Sequence, residues 1–329
     1  NATTDTLAIA VGNLNLDGAA DVEALTVAEE ANFAANVTAQ DAITVSDKTT
    51  ISTGTTVTLT SDAGGTGGIS LEEIAGVNGG GAESLVLASG PSTIAVTGAV
   101  TDITNLTITD SGGATFGGAV TLLGTLTLTD TDAGDDIIFN GALNAVTLTT
   151  AAEAYDLTFN AGGQITSDTN ITSTGILTIG NDASDSMTFV GGFSSGSTGA
   201  MKLAGTLATT NTALDINRNV TLTADSIISG GTSGAITLAG TIDGNFDLAL
   251  NSTGVTSIDG IIGGTALNTL TTNADGSTRI NANITTSSTQ TYNDAVDIEG
   301  ATRTLTSNGG AITFDSTVDS LSTTRRSLT

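Results

Sequence analysis

Leu106-Thr107-Ile108-Thr109, Leu126-Thr127-Leu128-Thr129 and Val146-Thr147-Leu148-Thr149 share one pattern: apolar, Thr, apolar, Thr. Alternation with a period of two sends successive side chains to opposite faces of a β-strand. A helix needs apolar residues three and four apart instead. The second apolar residue falls at 108, 128 and 148, so the pattern returns every 20 residues. A short strand recurring at such an interval is the signature of a solenoid, in which each turn of chain lies on the turn before it.

The same marker extends in both directions. It recurs at Val27, Val45, Leu59, Leu87, Ile108, Leu128, Leu148, Ile179, Leu203, Leu222, Leu250, Leu270 and Leu305, with a mean step of about 23. A second strand type follows the first after a turn rich in Gly, Asp and Asn. It reads Gly-Ala-Ile-Thr-Leu at 234–238, Gly-Ala-Ile-Thr-Phe at 310–314, Asp156-Leu157-Thr158-Phe159 and Ser186-Met187-Thr188-Phe189. Phe116, Phe139 and Phe159 repeat one position of it. A third apolar cluster, such as Ala119-Val120 or Thr317-Val318, often comes next. Three short strands and three turns in roughly 20–24 residues predict an all-β fold, a right-handed parallel β-helix of about 14 coils. Leu, Val, Ile and Phe are expected to fill the lumen and Thr to face out. Steps of 28, 31 and 35 between markers are read as insertions in outward turns, for example around Gly192 to Gly199. Residues 1–100 carry the repeat less regularly than 101–329, and the whole chain is expected to be one solenoid segment of a longer protein. The rival fold, a string of β-sandwiches, calls for more buried Trp or Tyr and for visible linkers.

Composition fits the strand reading. The 329 residues include 42 Gly, 1 Pro, 0 Cys, 0 His and 0 Trp, and 12% are charged. Hydrophobic residues reach 38% and mean hydropathy is +0.22, which argues against disorder. Val, Ile and Thr suit a pleated surface, while Gly, Asn, Asp and Ser suit tight turns. Acidic residues number 34 against 7 basic ones, a net charge of −27. Such a polyanion repels nucleic-acid phosphates and anionic lipid headgroups. No apolar run is long enough for a membrane helix, and 2 Tyr without Trp cannot build the aromatic girdles of a membrane barrel. Neither nucleic acid nor membrane insertion is therefore expected.

Segments such as Gly234-Ala235-Ile236-Thr237-Leu238-Ala239-Gly240-Thr241-Ile242 and Gly310-Ala311-Ile312-Thr313-Phe314-Asp315-Ser316-Thr317-Val318 resemble the β-strand repeats of filamentous-haemagglutinin-like adhesins. The stretch from Ile258 to Asp319 is similar as a whole, and the resemblance covers about residues 100–329. It implies an exported β-helical shaft, outside the cell or on its surface, serving adhesion or a surface coat. The Asn-Pro-Asn-type secretion motif of that family is missing here, because Pro91 lies in Ala88-Ser89-Gly90-Pro91-Ser92.

Chemistry-bearing residues are few. Without His or Cys there is no Ser-His-Asp or Cys-His nucleophile and no ordinary zinc site. A β-helical polysaccharide lyase or hydrolase needs carboxylates beside Arg or Lys on one face, with Arg218, Arg279 or Arg303 as candidates. Their spacing pairs none of them with an acid, so solvated surface charge is the better reading, and no catalytic or cofactor-binding residue is assigned. The densest acidic run holds Asp130, Asp132, Asp135 and Asp136, and its Asp-x-Asp-x-Gly opening is that of many Ca²⁺ loops. These four are the candidate metal ligands, with a solvated turn as the alternative; Asn181-Asp182-Ala183-Ser184-Asp185 is a weaker candidate. Asn-x-Ser/Thr sequons at Asn1, Asn36, Asn105, Asn170, Asn219, Asn251 and Asn283 are no more frequent than chance expects. Thr-x-Thr runs such as Thr127/Thr129 are read as ordinary strand ladders rather than an ice-binding grid. The expected function is a non-enzymatic extracellular structural or adhesive rod whose partners are copies of itself or a cell-surface or glycan ligand. The alternatives are a self-assembling filament, sheath or coat subunit, and the lyase or hydrolase already named.

Overall fold

The structure, a computed structural model, describes residues 6–10, 12–62, 67–77, 82–129, 135–196, 198–300 and 302–320. The chain divides into two compact units. One comprises Asn1–Asn160 with Thr172–Gly175, the other Ala161–Ile171 with Ile176–Thr329. Both are built from parallel stacked coils with three short strands per coil, a β-solenoid of about 14 turns among the described residues, and no helix occurs in them.

One turn of the first unit shows how the sequence makes the coil. Strand Ala114–Phe116 lies on the first face, Val120–Leu122 on the second and Thr125–Leu128 on the third. Each pairs with the strand one turn on: Phe116 with Phe139, Val120 with Leu143, and Leu126 with Leu148. Alternation then divides the side chains. Leu126 and Leu128 are buried in the lumen, while Thr127 is half-buried on the outside, in register with Thr107 and Thr149. The third face is a 7-stranded sheet in the first unit and an 8-stranded sheet in the second. Strands Ile43–Ile51, Ile69–Gly76, Ala200–Thr209 and Asn219–Gly231 run on around a corner, so at those turns the first and second faces share one strand. Burying an aliphatic or Phe side chain contributes roughly 1.5–3 kcal/mol. Because each turn between Leu25 and Ile298 buries several, neighbouring turns rather than local propensity hold the strands.

The reading of most long steps as insertions, and of Val146 as a lumen residue, is corrected. The step from Leu222 to Leu250 is a change of face, not an insertion: Leu222 pairs with Leu203, whereas Leu250 pairs with Ile228, 22 residues before it. Likewise Leu270 belongs to the second face, opposite Gln290, and Leu305 to the first, opposite Ile284. The interval from Leu148 to Ile179 also joins two different sheets, since Leu148 pairs with Leu126 and Ile179 with Leu203. The step from Leu59 to Leu87 is a real lengthening, because these two residues are direct partners 28 apart. The stretch around Gly192 holds no insertion either: Phe193–Ser195 is an ordinary third-face strand whose Phe193 pairs with Leu214. Finally, Val146 is not a lumen residue. A corner between Ala145 and Thr147 turns it outward, 41% exposed, and Thr150 takes the inward place opposite Leu128.

Corners are tight enough to dictate residue type. At Gly263 the backbone has φ +79°, and a Cβ there would lie 2.0 Å from the Thr285 carbonyl oxygen. Only glycine takes that conformation without strain.

Candidate functional site

Of the four acidic residues singled out for Ca²⁺, Asp130 and Asp132 lie outside the described residues. Asp135 is half-buried at the corner before strand Asp136–Phe139, and its carbonyl accepts the backbone N–H of Asp156 at 2.9 Å. Asp136 is exposed and stands in register with Asp156 of the next turn. A shallow open cavity of about 240 Å³ lies against them, lined also by Thr93, Gly113 and Thr115. Among the described residues no group of three or more His, Cys, Asp or Glu side chains is assembled as a metal site. The structure thus keeps Asp135 and Asp136 side by side and sets Asp156 next to Asp136, without assembling these acids into a metal site.

The second acidic turn closes on itself. Asp185 Oδ2 accepts the N–H groups of Asn181 and Asp182 at 2.8 and 3.0 Å. Asp182 Oδ1 accepts both the hydroxyl and the N–H of Ser184 at 2.6 and 2.7 Å. The hydroxyl bond, then the backbone bond, holds the Asp182 carboxyl below its ordinary value. These carboxylates cap a turn, as Asp does in many tight turns.

The three candidate arginines occupy different places in the second unit. Arg218 is fully buried at the corner before strand Asn219–Gly231. Arg279 takes an outward position on the third face, in register with Ser257 on one side and Asp297 on the other. Arg303 donates through Nε to the Glu299 carbonyl at 3.1 Å and through its terminal nitrogen to Asn281 Oδ1.

A feature that sequence reading missed is a recurring staple between turns. Asn36 Oδ1 accepts the N–H of Thr58 at 2.8 Å, and Asn105 Oδ1 that of Thr125 at 3.0 Å. Asn219 does the same for Thr241 at 3.0 Å, Asp243 for Thr265 at 2.7 Å and Asn283 for Thr304 at 3.0 Å. The partner always lies 20–22 residues on, one turn away. This explains four of the sequons. In Asn36-Val37-Thr38, Asn105-Leu106-Thr107, Asn219-Val220-Thr221 and Asn283-Ile284-Thr285 the Asn caps the corner and the next residue fills the lumen. The Thr that follows faces out. The legible signal was an Asn immediately before an inward apolar residue.

The second unit carries an open groove of about 390 Å³ lined by Ala183, Asp225, Ile227, Asp247, Ala249 and Thr269, among others. Its carboxylates bind the framework: Asp225 Oδ1 accepts the N–H of Asp247 at 3.0 Å, and Asp247 Oδ1 accepts Asn268 Nδ2 and Thr269 Oγ1, each at 2.7 Å. Its sheet face is a ladder of Thr206, Ile227, Ala249 and Thr271. Across both units, the arrangement offers outward columns of small, mostly uncharged side chains, and in the second unit the corner carboxylates of Asp182, Asp185, Asp225 and Asp243 are engaged with backbone donors. No protein-family model, curated protein or solved structure matches the chain.

Proposed function

We propose that this chain is a structural or adhesive shaft segment of an extracellular or cell-surface protein, similar to the filamentous-haemagglutinin-like adhesins, and that it catalyses no reaction. The observation that carries this reading is the repetition of the outer surface. On the third face of the first unit, Thr125 and Thr147 form one column with Asn105 and Ser84, and Thr107, Thr127 and Thr149 form the next. Successive turns present the same few hydroxyls and amides at the strand spacing of about 4.8 Å. Among the described residues of this face, no turn's outward column is set apart from its neighbours. Repeated weak contacts act through avidity, so a ligand that is itself repeated, a polysaccharide or a coat of like chains, suits this surface. The carboxylates and asparagines at the corners support a mechanical role, since each staple adds roughly 1 kcal/mol to the join between turns.

The test uses the intact chain on glycan-coated surfaces of graded density and in polysaccharide solutions. Binding that rises more steeply than ligand density, with no fall in viscosity and no new reducing ends, is the expected result. Depolymerisation abolished by changing a single Asp to Asn overturns the reading in favour of a lyase or hydrolase.

A further inference from the structure

The lumen of the second unit is aliphatic along most of its length, but around Asp294 it becomes polar. Asp294 sits at the corner between strands Gln290–Tyr292 and Ala295–Ile298 and is 2% exposed. Its two carboxyl oxygens take one hydroxyl each from the previous turn: Thr272 donates to Oδ1 at 2.7 Å and Thr278 to Oδ2 at 2.8 Å. A second chain of bonds lies beside it. Tyr292 donates to Gln290 Oε1 at 3.0 Å, and Gln290 Nε2 donates to Thr286 Oγ1 at 3.3 Å and to the Thr306 carbonyl at 2.8 Å. Thr272, Thr278, Thr286, Gln290 and Tyr292 are all buried.

The charged groups nearby do not neutralise the carboxyl. Tyr292, on its own side, is the titratable neighbour that senses it. Arg279, on the strand that supplies Thr278, is in the outward phase beside Asp297, which faces out from the strand after Asp294. Asp275, in the turn between the two threonines, and Asp315, after the strand Ile312–Phe314 of the next turn, are exposed and acidic. An ionised carboxylate without a cation in a low-dielectric interior is costly, and a proton is the simplest ligand that removes the charge. The same hydroxyl oxygens that donate to the carboxylate accept from the neutral acid, so the network survives protonation.

We propose that Asp294 makes the turns around it a proton-tightened lock, taking up a proton on folding so that these turns hold more firmly as the pH falls. Burial supports this by raising the carboxyl above its ordinary value, the two threonine bonds opposing in part. A raised value in the folded state means that the stabilisation is complete below the unfolded value and is lost as the pH climbs through the folded one. Acidification also relieves the −27 net charge, an effect that acts on the whole chain and not on these turns alone.

Native-state hydrogen exchange on the full chain tests the lock, with amides of residues 270–298 followed and intrinsic exchange rates divided out. In the unmodified chain their protection is expected to rise on acidification by up to about tenfold per pH unit, the limit set by one proton per opening. Asp294→Asn should give high protection at neutral pH and lose that slope. Asp297→Asn, which alters an outward carboxylate on the adjoining strand, should keep it. Thr278→Val removes a bond that favours the charged form, so its sloping region should move to higher pH. The proposal is overturned if Asp294→Asn retains the slope, if the slope has the opposite sign, or if Thr278→Val leaves it in place.

Discussion

The rings of Phe116 and Phe139 stack one turn apart, with centroids 4.9 Å from each other and planes 6° from parallel. Phe159 continues the column at 5.7 Å and 21°. All three are in-register partners on the first face of the first unit, and all are fully buried. Stacking of this kind adds about 0.5–1.5 kcal/mol to what burial alone contributes.

Phe139→Ala should therefore destabilise the first unit by about 3–5 kcal/mol, because it empties the middle of the column. Denaturant unfolding followed by circular dichroism measures the shift in midpoint. Phe116→Ala combined with Phe139→Ala should cost less than the two single losses added together, since both remove the same contact. Additive losses would mean that the rings contribute only as independent apolar volume.

Leu128→Asp should cost several kcal/mol by placing an unpaired charge in the lumen. Thr127→Asp, one residue away but outward between Thr107 and Thr149, should cost far less. Equal losses would refute the inward and outward assignment.

Asn219→Ala removes the acceptor for the Thr241 N–H and should cost about 1 kcal/mol. Asn219→Asp keeps an acceptor oxygen and should retain most of the stability. Thermal melts of both variants decide the matter. If Asn219→Asp melts as low as Asn219→Ala, the staple is not what holds the corner.

The coil was legible wherever apolar and polar residues alternate without interruption, as in Leu126-Thr127-Leu128, since period-two alternation needs no knowledge of neighbouring turns. It became illegible at corners. Ala145-Val146-Thr147-Leu148 carries apolar residues in both phases, and only the corner between Ala145 and Thr147 decides which phase faces inward. Face assignment was hidden for a related reason. Leu222 and Leu250 look alike locally, and only their partners, Leu203 and Ile228, place them on different faces. The acidic run was visible as composition, but which carboxylates converge depends on register between turns. Asp136 meets Asp156, a pairing no local motif encodes. The lumen network around Asp294 had a faint signal, since Thr272, Gln290 and Tyr292 occupy the inward phase of strands in which that phase is usually aliphatic.

That ambiguity at residue 146 yields the last prediction. Val146 is exposed and its N–H donates to the Gly124 carbonyl at 2.9 Å, so the backbone there is held while the side chain is not. Val146→Asp should leave stability within about 0.5 kcal/mol of the unmodified chain, as surface changes away from special features do. Leu148→Asp should cost several kcal/mol, because Leu148 continues the column of Leu106 and Leu126. Thr150 completes the test. It fills the inward place opposite Leu128, yet its Oγ1 accepts the N–H of Thr172 at 2.8 Å. Thr150→Val gains apolar contact but strands that N–H, and a lost partner at a part-buried donor costs about 1–3 kcal/mol. Unfolding midpoints should thus fall in the order Val146→Asp, Thr150→Val, Leu148→Asp. If Val146→Asp proved the most damaging of the three, the turn would follow the uninterrupted 20-residue marker, and the register that pairs Leu126 with Leu148 would be wrong.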